Sequence, residues 1–174
     1  MNLASDDFSL FGLPARQRLD RAELDARWKA LAAQVHPDKH LGQGAHAQAR
    51  SMQWALRVNE AYRRLRDPLS RAAYLCEQRG AAIEAESNTH MCRSFLGEQM
   101  TWREALDEAD TQSAMDALEA QVKRRQVGLF ETVAKELDEP GGEPARAAEA
   151  VRALMFVARF LKDIERRRDA LFPI

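Results

Sequence analysis

Apolar residues recur at helical spacing in two segments near the start of the chain. Leu24, Trp28, Leu31 and Val35 form one stripe, and Trp54, Ala55, Val58, Ala61, Tyr62 and Leu65 form another. Between them stands His36-Pro37-Asp38-Lys39. Proline cannot continue a helix and drives its predecessor out of the α region. The first helix therefore ends at His36, Asp38 falls in a turn, and the two segments form a helical hairpin with this tetrapeptide at its tip. Asp20, with Glu23 three residues on, suits the start of the first arm. Phe8, Leu10, Phe11 and Leu13, ending at Pro14, predict a short helix or turn against the hairpin base, with residues 1–7 as a frayed lead-in. Asp67 and Pro68 suit the first positions of a further helix striped by Leu69, Ala72, Ala73 and Cys76, which Gly80 ends.

Periodicity fades over 81–88, and three long amphipathic segments follow. They predict helices over about 91–109, 113–137 and 145–170. Asp110 and Thr111 separate the first two, and Pro140-Gly141-Gly142-Glu143-Pro144 separates the last two. Short connections between long helices predict an antiparallel three-helix bundle. The middle segment carries Met115, Leu118, Val122, Leu129, Val133 and Leu137, and the last carries Val151, Leu154, Ala158, Leu161 and Ile164. The chain thus reads as all-α, with an N-terminal domain over 1–80, a linker over 81–90 and a bundle over 91–174. No strand-like alternation and no internal repeat stand against this.

The helix that opens the bundle has more apolar surface than folding requires. Cys92, Phe95, Trp102, Leu106 and Ala109 make a core seam. Leu96, Met100, Glu104 and Glu108 follow at four-residue steps on the opposite face, with Gly97 and Thr101 beside them. One stripe is enough to seat a helix on a bundle, so Leu96 and Met100 form the apolar half of a strip whose other half is acidic. Phe156 and Phe160 are a similar surplus on the last helix, with Phe160 assigned to the core.

Composition narrows the function classes. The 174 residues are 45% hydrophobic and 30% charged with a net charge of −1, so no global field favours nucleic acid or an anionic membrane. No apolar run approaches the roughly 20 residues of a membrane span. No charged leader with an apolar core opens the chain, and Cys76 and Cys92 fit a reducing compartment. The expected location is the cytoplasm. The two cysteines have no partner at metal-ligand spacing, so neither metal nor cofactor is expected. His36 beside Asp38 suggests a general base, but a hairpin tip offers no shaped pocket and no third group. Docking, not catalysis, is the expected use of the tip.

The hairpin stripes around the tetrapeptide, Phe8-Ser9-Leu10-Phe11-Gly12-Leu13-Pro14 and the stretch from Asn59 to Pro68 resemble a J domain, the module with which DnaJ-type co-chaperones switch on a DnaK-type ATPase. The segment from Phe95 to Glu108, Leu10-Phe11-Gly12-Leu13-Pro14-Ala15-Arg16 and Pro68-Leu69-Ser70-Arg71-Ala72 narrow the resemblance to HscB-type co-chaperones, over nearly the whole chain. That resemblance implies a J domain joined in an L shape to a three-helix bundle. It implies that the bundle binds the iron–sulfur scaffold IscU and that the J domain presents it to the DnaK-family chaperone HscA. His36, Pro37, Asp38 and Lys39, with Arg27 and Lys29 on the first arm, would then meet the chaperone ATPase. Leu96, Met100, Glu104, Glu108 and Phe156 would meet the scaffold. At Gly97 and Thr101 the family can carry a larger apolar residue and an acid, so contacts there are not carried over. The competing function is a general J-protein for unfolded clients, which would need a peptide groove or Met-rich cleft.

Overall fold

The computed structural model describes residues 4–36, 44–83 and 93–173. Among the described residues seven helices make up the regular structure: α1 (Asp7–Phe11), α2 (Arg21–Gln34), α3 (Ala45–Arg66), α4 (Pro68–Gln78), α5 (Arg93–Glu108), α6 (Gln112–Asp138) and α7 (Pro144–Leu171). They divide into two compact units, Met1–Leu75 and Cys76–Ile174, with the division inside α4. Residues 84–90 of the expected linker lie outside the described residues.

In the first unit α2 and α3 form the hairpin. Leu24, Val58, Ala61 and Leu65 are fully buried between its arms. Trp28 and Tyr62 stack with ring centroids 4.4 Å apart. Their polar ends are satisfied across the same seam: Trp28 Nε1 donates to Asn59 Oδ1 at 3.0 Å, and the Tyr62 hydroxyl donates to Asp25 at 2.9 Å. The Tyr62 hydrogen bond holds the Asp25 carboxyl below its usual range. Asp20 caps α2 through the amides of Ala22 and Glu23.

The lead-in is not frayed at its end. Asp6 caps α1 through the Ser9 amide, and Asp7 is completely buried. Its carboxylate lies 2.8 Å from Arg57 and 3.0 Å from Arg64, both on α3, while its amide donates to the Tyr74 hydroxyl at 3.0 Å. These partners stand far away in sequence, where periodicity carries no information. At the other end of the unit, Asp67 caps α4 by accepting from the Ser70 amide at 2.7 Å. Buried Arg71 donates to the carbonyls of Gln17 and Leu65.

α4 ends in the expected left-handed glycine. Gly80 has φ 78°, and the amides of Gly80 and Ala81 close on the carbonyls of Glu77 and Cys76. Cys76 is buried, which pushes its thiol up to about 11.

The second unit is an up-down-up bundle. α7 returns along α6, so Arg168 near the end of α7 reaches Asp116 and Glu119 near the start of α6, at 3.0 and 2.6 Å. All six seam residues predicted on α6 are buried. On α7, Val151, Leu154 and Ile164 are buried as expected, while Ala158 and Leu161 are half-buried and Val157 and Phe160 complete the core. Each buried Leu, Val, Met or Phe contributes about 1.5–3 kcal/mol, so this seam supplies much of the unit's stability. Thr111 caps α6 through the Ala114 amide. The tight α6–α7 turn needs Gly141 at φ 83° and Gly142, where a Cβ would lie 2.2 Å from the Glu136 carbonyl oxygen.

Candidate functional site

Two surfaces carry the residues singled out by sequence, one in each unit. The first is the hairpin tip. α2 ends at Gln34, with buried Val35 as its cap and His36 exposed beyond it. Pro37, Asp38 and Lys39 lie outside the described residues. The approach to the tip is fixed from below. Ser51 on α3 is buried and donates from Oγ to the Val35 carbonyl at 2.6 Å. This bond satisfies a helix-end carbonyl that α2 itself cannot. Sequence gave no sign of it, because a lone serine in a helical stripe is ordinarily solvated.

Arg27 and Lys29 are both exposed on α2. Arg27 pairs with Glu23 one turn earlier at 3.3 Å. An exposed pair of this kind is worth about 0.3–0.5 kcal/mol, too little to hold the guanidinium against a partner. α3 also exposes Met52 and Leu56, four residues apart, which the sequence pattern did not flag.

The second surface is the outer face of α5. Of the expected seam, Phe95, Trp102 and Ala109 are buried, Leu106 is half-buried, and Cys92 lies outside the described residues. Opposite them Leu96 is 43% and Met100 65% exposed. Glu104 and Glu108 are exposed along the same row. Phe156 of α7 packs against α5: its half-buried ring meets Phe95 edge-on with centroids 5.7 Å apart and stacks on Phe160 at 5.9 Å. The Arg103 guanidinium lies 5.8 Å from the Phe156 ring centroid, a contact the sequence reading missed. A Cβ at Gly97 would meet nothing within 4 Å, so the surface there is open. The Thr101 hydroxyl turns back to the Gly97 carbonyl at 3.2 Å.

Two exposed aliphatic side chains thus run on into two exposed carboxylates along one row of α5. Among the described residues no group of three or more His, Cys, Asp or Glu side chains could hold a metal. Among them no helix is long and apolar enough to cross a membrane.

A helical hairpin with the short helices α1 and α4, followed in sequence by a three-helix bundle with an exposed apolar–acidic strip, is the architecture of a J-domain protein with a helical C-terminal domain. Comparison with known proteins narrows the class. Residues 91–165 match the family model described as the HSCB C-terminal oligomerisation domain. The chain is 46% identical over 162 residues to the co-chaperone protein HscB homolog of Bordetella parapertussis, covering 92% of this chain and 95% of that protein. It is 43% identical over 174 residues to the homolog of Azoarcus sp., covering 98% of each. Among solved structures, chaperone HscB from Vibrio cholerae superposes with a TM-score of 0.80 at 31% identity, over 97% of this chain and 100% of that one. Human co-chaperone HscB gives 0.87 at 29% identity, over 100% of this chain and 86% of that one. The chain belongs to the HscB co-chaperone family.

Proposed function

We propose that this co-chaperone stimulates the ATPase of an HscA-type, DnaK-family chaperone and delivers the iron–sulfur scaffold IscU to it, for maturation of iron–sulfur proteins. It acts in the cytoplasm and catalyses no reaction of its own. His36, Pro37, Asp38 and Lys39, with Arg27 and Lys29 of α2, engage the ATPase. Asp38 accepts charge-assisted hydrogen bonds from a basic group of the chaperone, and the cations meet an acidic surface. Leu96, Met100 and Phe156 are the apolar anchors for the scaffold, and Glu104 and Glu108 meet its basic groups at the rim.

The observation that carries this reading is the exposure of Leu96 and Met100 on a helix whose core face is already filled by Phe95 and Trp102, with the half-buried Phe156 ring against Phe95. Family membership supports the co-chaperone half, and the anchored, exposed end of α2 supports the use of its tip. The test is steady-state ATP hydrolysis by an HscA-type chaperone. The chain accelerates it, and IscU adds to the acceleration. His36→Gln or Asp38→Asn abolishes the effect with a melting curve that stays within the roughly 0.5 kcal/mol of an ordinary polar substitution. Normal stimulation by either variant would remove the tip from the mechanism. Equal synergy with any unfolded polypeptide in place of IscU would instead favour a general J-protein.

A further inference from the structure

Between residues 95 and 108, α5 carries a single cation, Arg103, among the acids Glu98, Glu104, Asp107 and Glu108. Glu98 is taken by Arg125 of α6 at 2.8 Å. Asp107, one turn beyond Arg103, is the natural helical partner for it. The guanidinium lies instead over the Phe156 ring, and among the described residues no carboxylate stands at ion-pairing distance from it. Arg103 follows Met100 by three residues and Leu96 by seven, so the three share one face of the helix. Glu104 stands about 100° further round, on the other side of Met100. The apolar ridge is therefore flanked by a cation and an aromatic ring on one side and by carboxylates on the other.

This arrangement constrains whatever covers the ridge. A partner that buries Leu96, Met100 and Phe156 also strips water from the guanidinium lying over that ring. A desolvated cation is tolerated only when it is paired and hydrogen-bonded. The Phe156 ring holds the planar group in place, so little side-chain freedom is lost when a carboxylate docks on it. We infer that Arg103 is a specificity-determining contact of the client face, and that it takes a carboxylate of the bound partner. The surface that fits is then an apolar patch with an acidic group on one flank and basic groups on the other. This inference rests on the proposed scaffold-binding reading of the same face.

Calorimetric titration of the full chain with IscU tests it, using Arg103→Met, Arg103→Lys and Arg103→Glu beside Met100→Ala. Arg103→Met keeps the stem and removes the charge. It weakens binding by about tenfold or more, while Arg103→Lys falls between it and the wild type. Replacing one IscU acid by lysine restores binding to Arg103→Glu. Melting curves of the variants match the wild type, which separates lost binding from lost folding. Wild-type or tighter binding by Arg103→Met, with Met100→Ala still weakened, overturns the inference and leaves the face standing. If the wild-type chain does not bind IscU, both the face and the inference fall.

Discussion

Replacing Asp7 by Asn keeps the shape of a fully buried side chain and removes the charge that two guanidinium groups face at 2.8 and 3.0 Å. Breaking a buried ion pair from one side costs roughly 3–5 kcal/mol, because the remaining charge is left without its partner. Here the cost is smaller. Arg57 and Arg64 are 20% and 33% exposed, Arg57 still donates to the Ser5 carbonyl, and Arg64 still meets Glu60. The Tyr74 bond to the Asp7 amide is untouched by the substitution. The expected loss is about 2 kcal/mol, borne by the first unit alone. At about 4–8 °C per kcal/mol for a domain of this size, its transition falls by about 8–16 °C. Two compact units need not melt together, so the assay must resolve them. Hydrogen exchange read by mass spectrometry does so. Amides of α1 and α3 exchange faster in Asp7→Asn, while those of α6 and α7 are unchanged. A loss below about 0.5 kcal/mol, the size of a surface substitution, would refute the idea that this buried carboxylate ties α1 to the hairpin.

Two glycines should respond in opposite directions to alanine. Gly142→Ala forces a Cβ to within 2.2 Å of the Glu136 carbonyl oxygen and should cost about 1–3 kcal/mol, whereas Gly97→Ala, in open helical surface, should gain about 0.5–1 kcal/mol; thermal melts that rank them the other way contradict the turn geometry. Ser51→Ala leaves the Val35 carbonyl buried without its donor and should cost about 1–3 kcal/mol, with faster exchange at the end of α2 and unchanged exchange in α6; equal protection at the end of α2 would mean the bond does not hold the approach to the tip.

Local pattern made much of this molecule legible. The six-residue seam of α6, the caps at Asp20, Asp67 and Thr111 and the glycine stop at Gly80 all depend on residues within a few positions of each other. The exposed pair Leu96 and Met100 was legible for the same reason, since a helix with two apolar faces has one to spare. What stayed hidden depends on pairing between distant segments. Asp7 reads as part of a polar terminus until Arg57 and Arg64 surround it, and Ser51 reads as a surface residue until the end of α2 reaches it. Arg152 sits in an apolar run of α7, is buried, and donates to the Ile83 carbonyl at 3.5 Å. Arg103 belongs with these: its guanidinium is placed by a ring 53 positions later in the chain. Leu106, assigned to the seam by spacing, is only half-buried because it lies at the edge of the contact rather than at its centre.

The most direct test of the account is the ATPase rate of an HscA-type chaperone with IscU present, driven by the wild-type chain and by a variant carrying Leu96→Ala, Met100→Ala and Phe156→Ala together. Alanine at a central anchor of a small interface often costs more than about 1 kcal/mol. The variant should therefore keep the stimulation seen without IscU, lose the added stimulation that IscU gives, and bind IscU far more weakly in calorimetry, with the buried seam of Phe95 and Trp102 intact in its melting curve. Full synergy and unchanged IscU affinity in the triple variant would contradict the account.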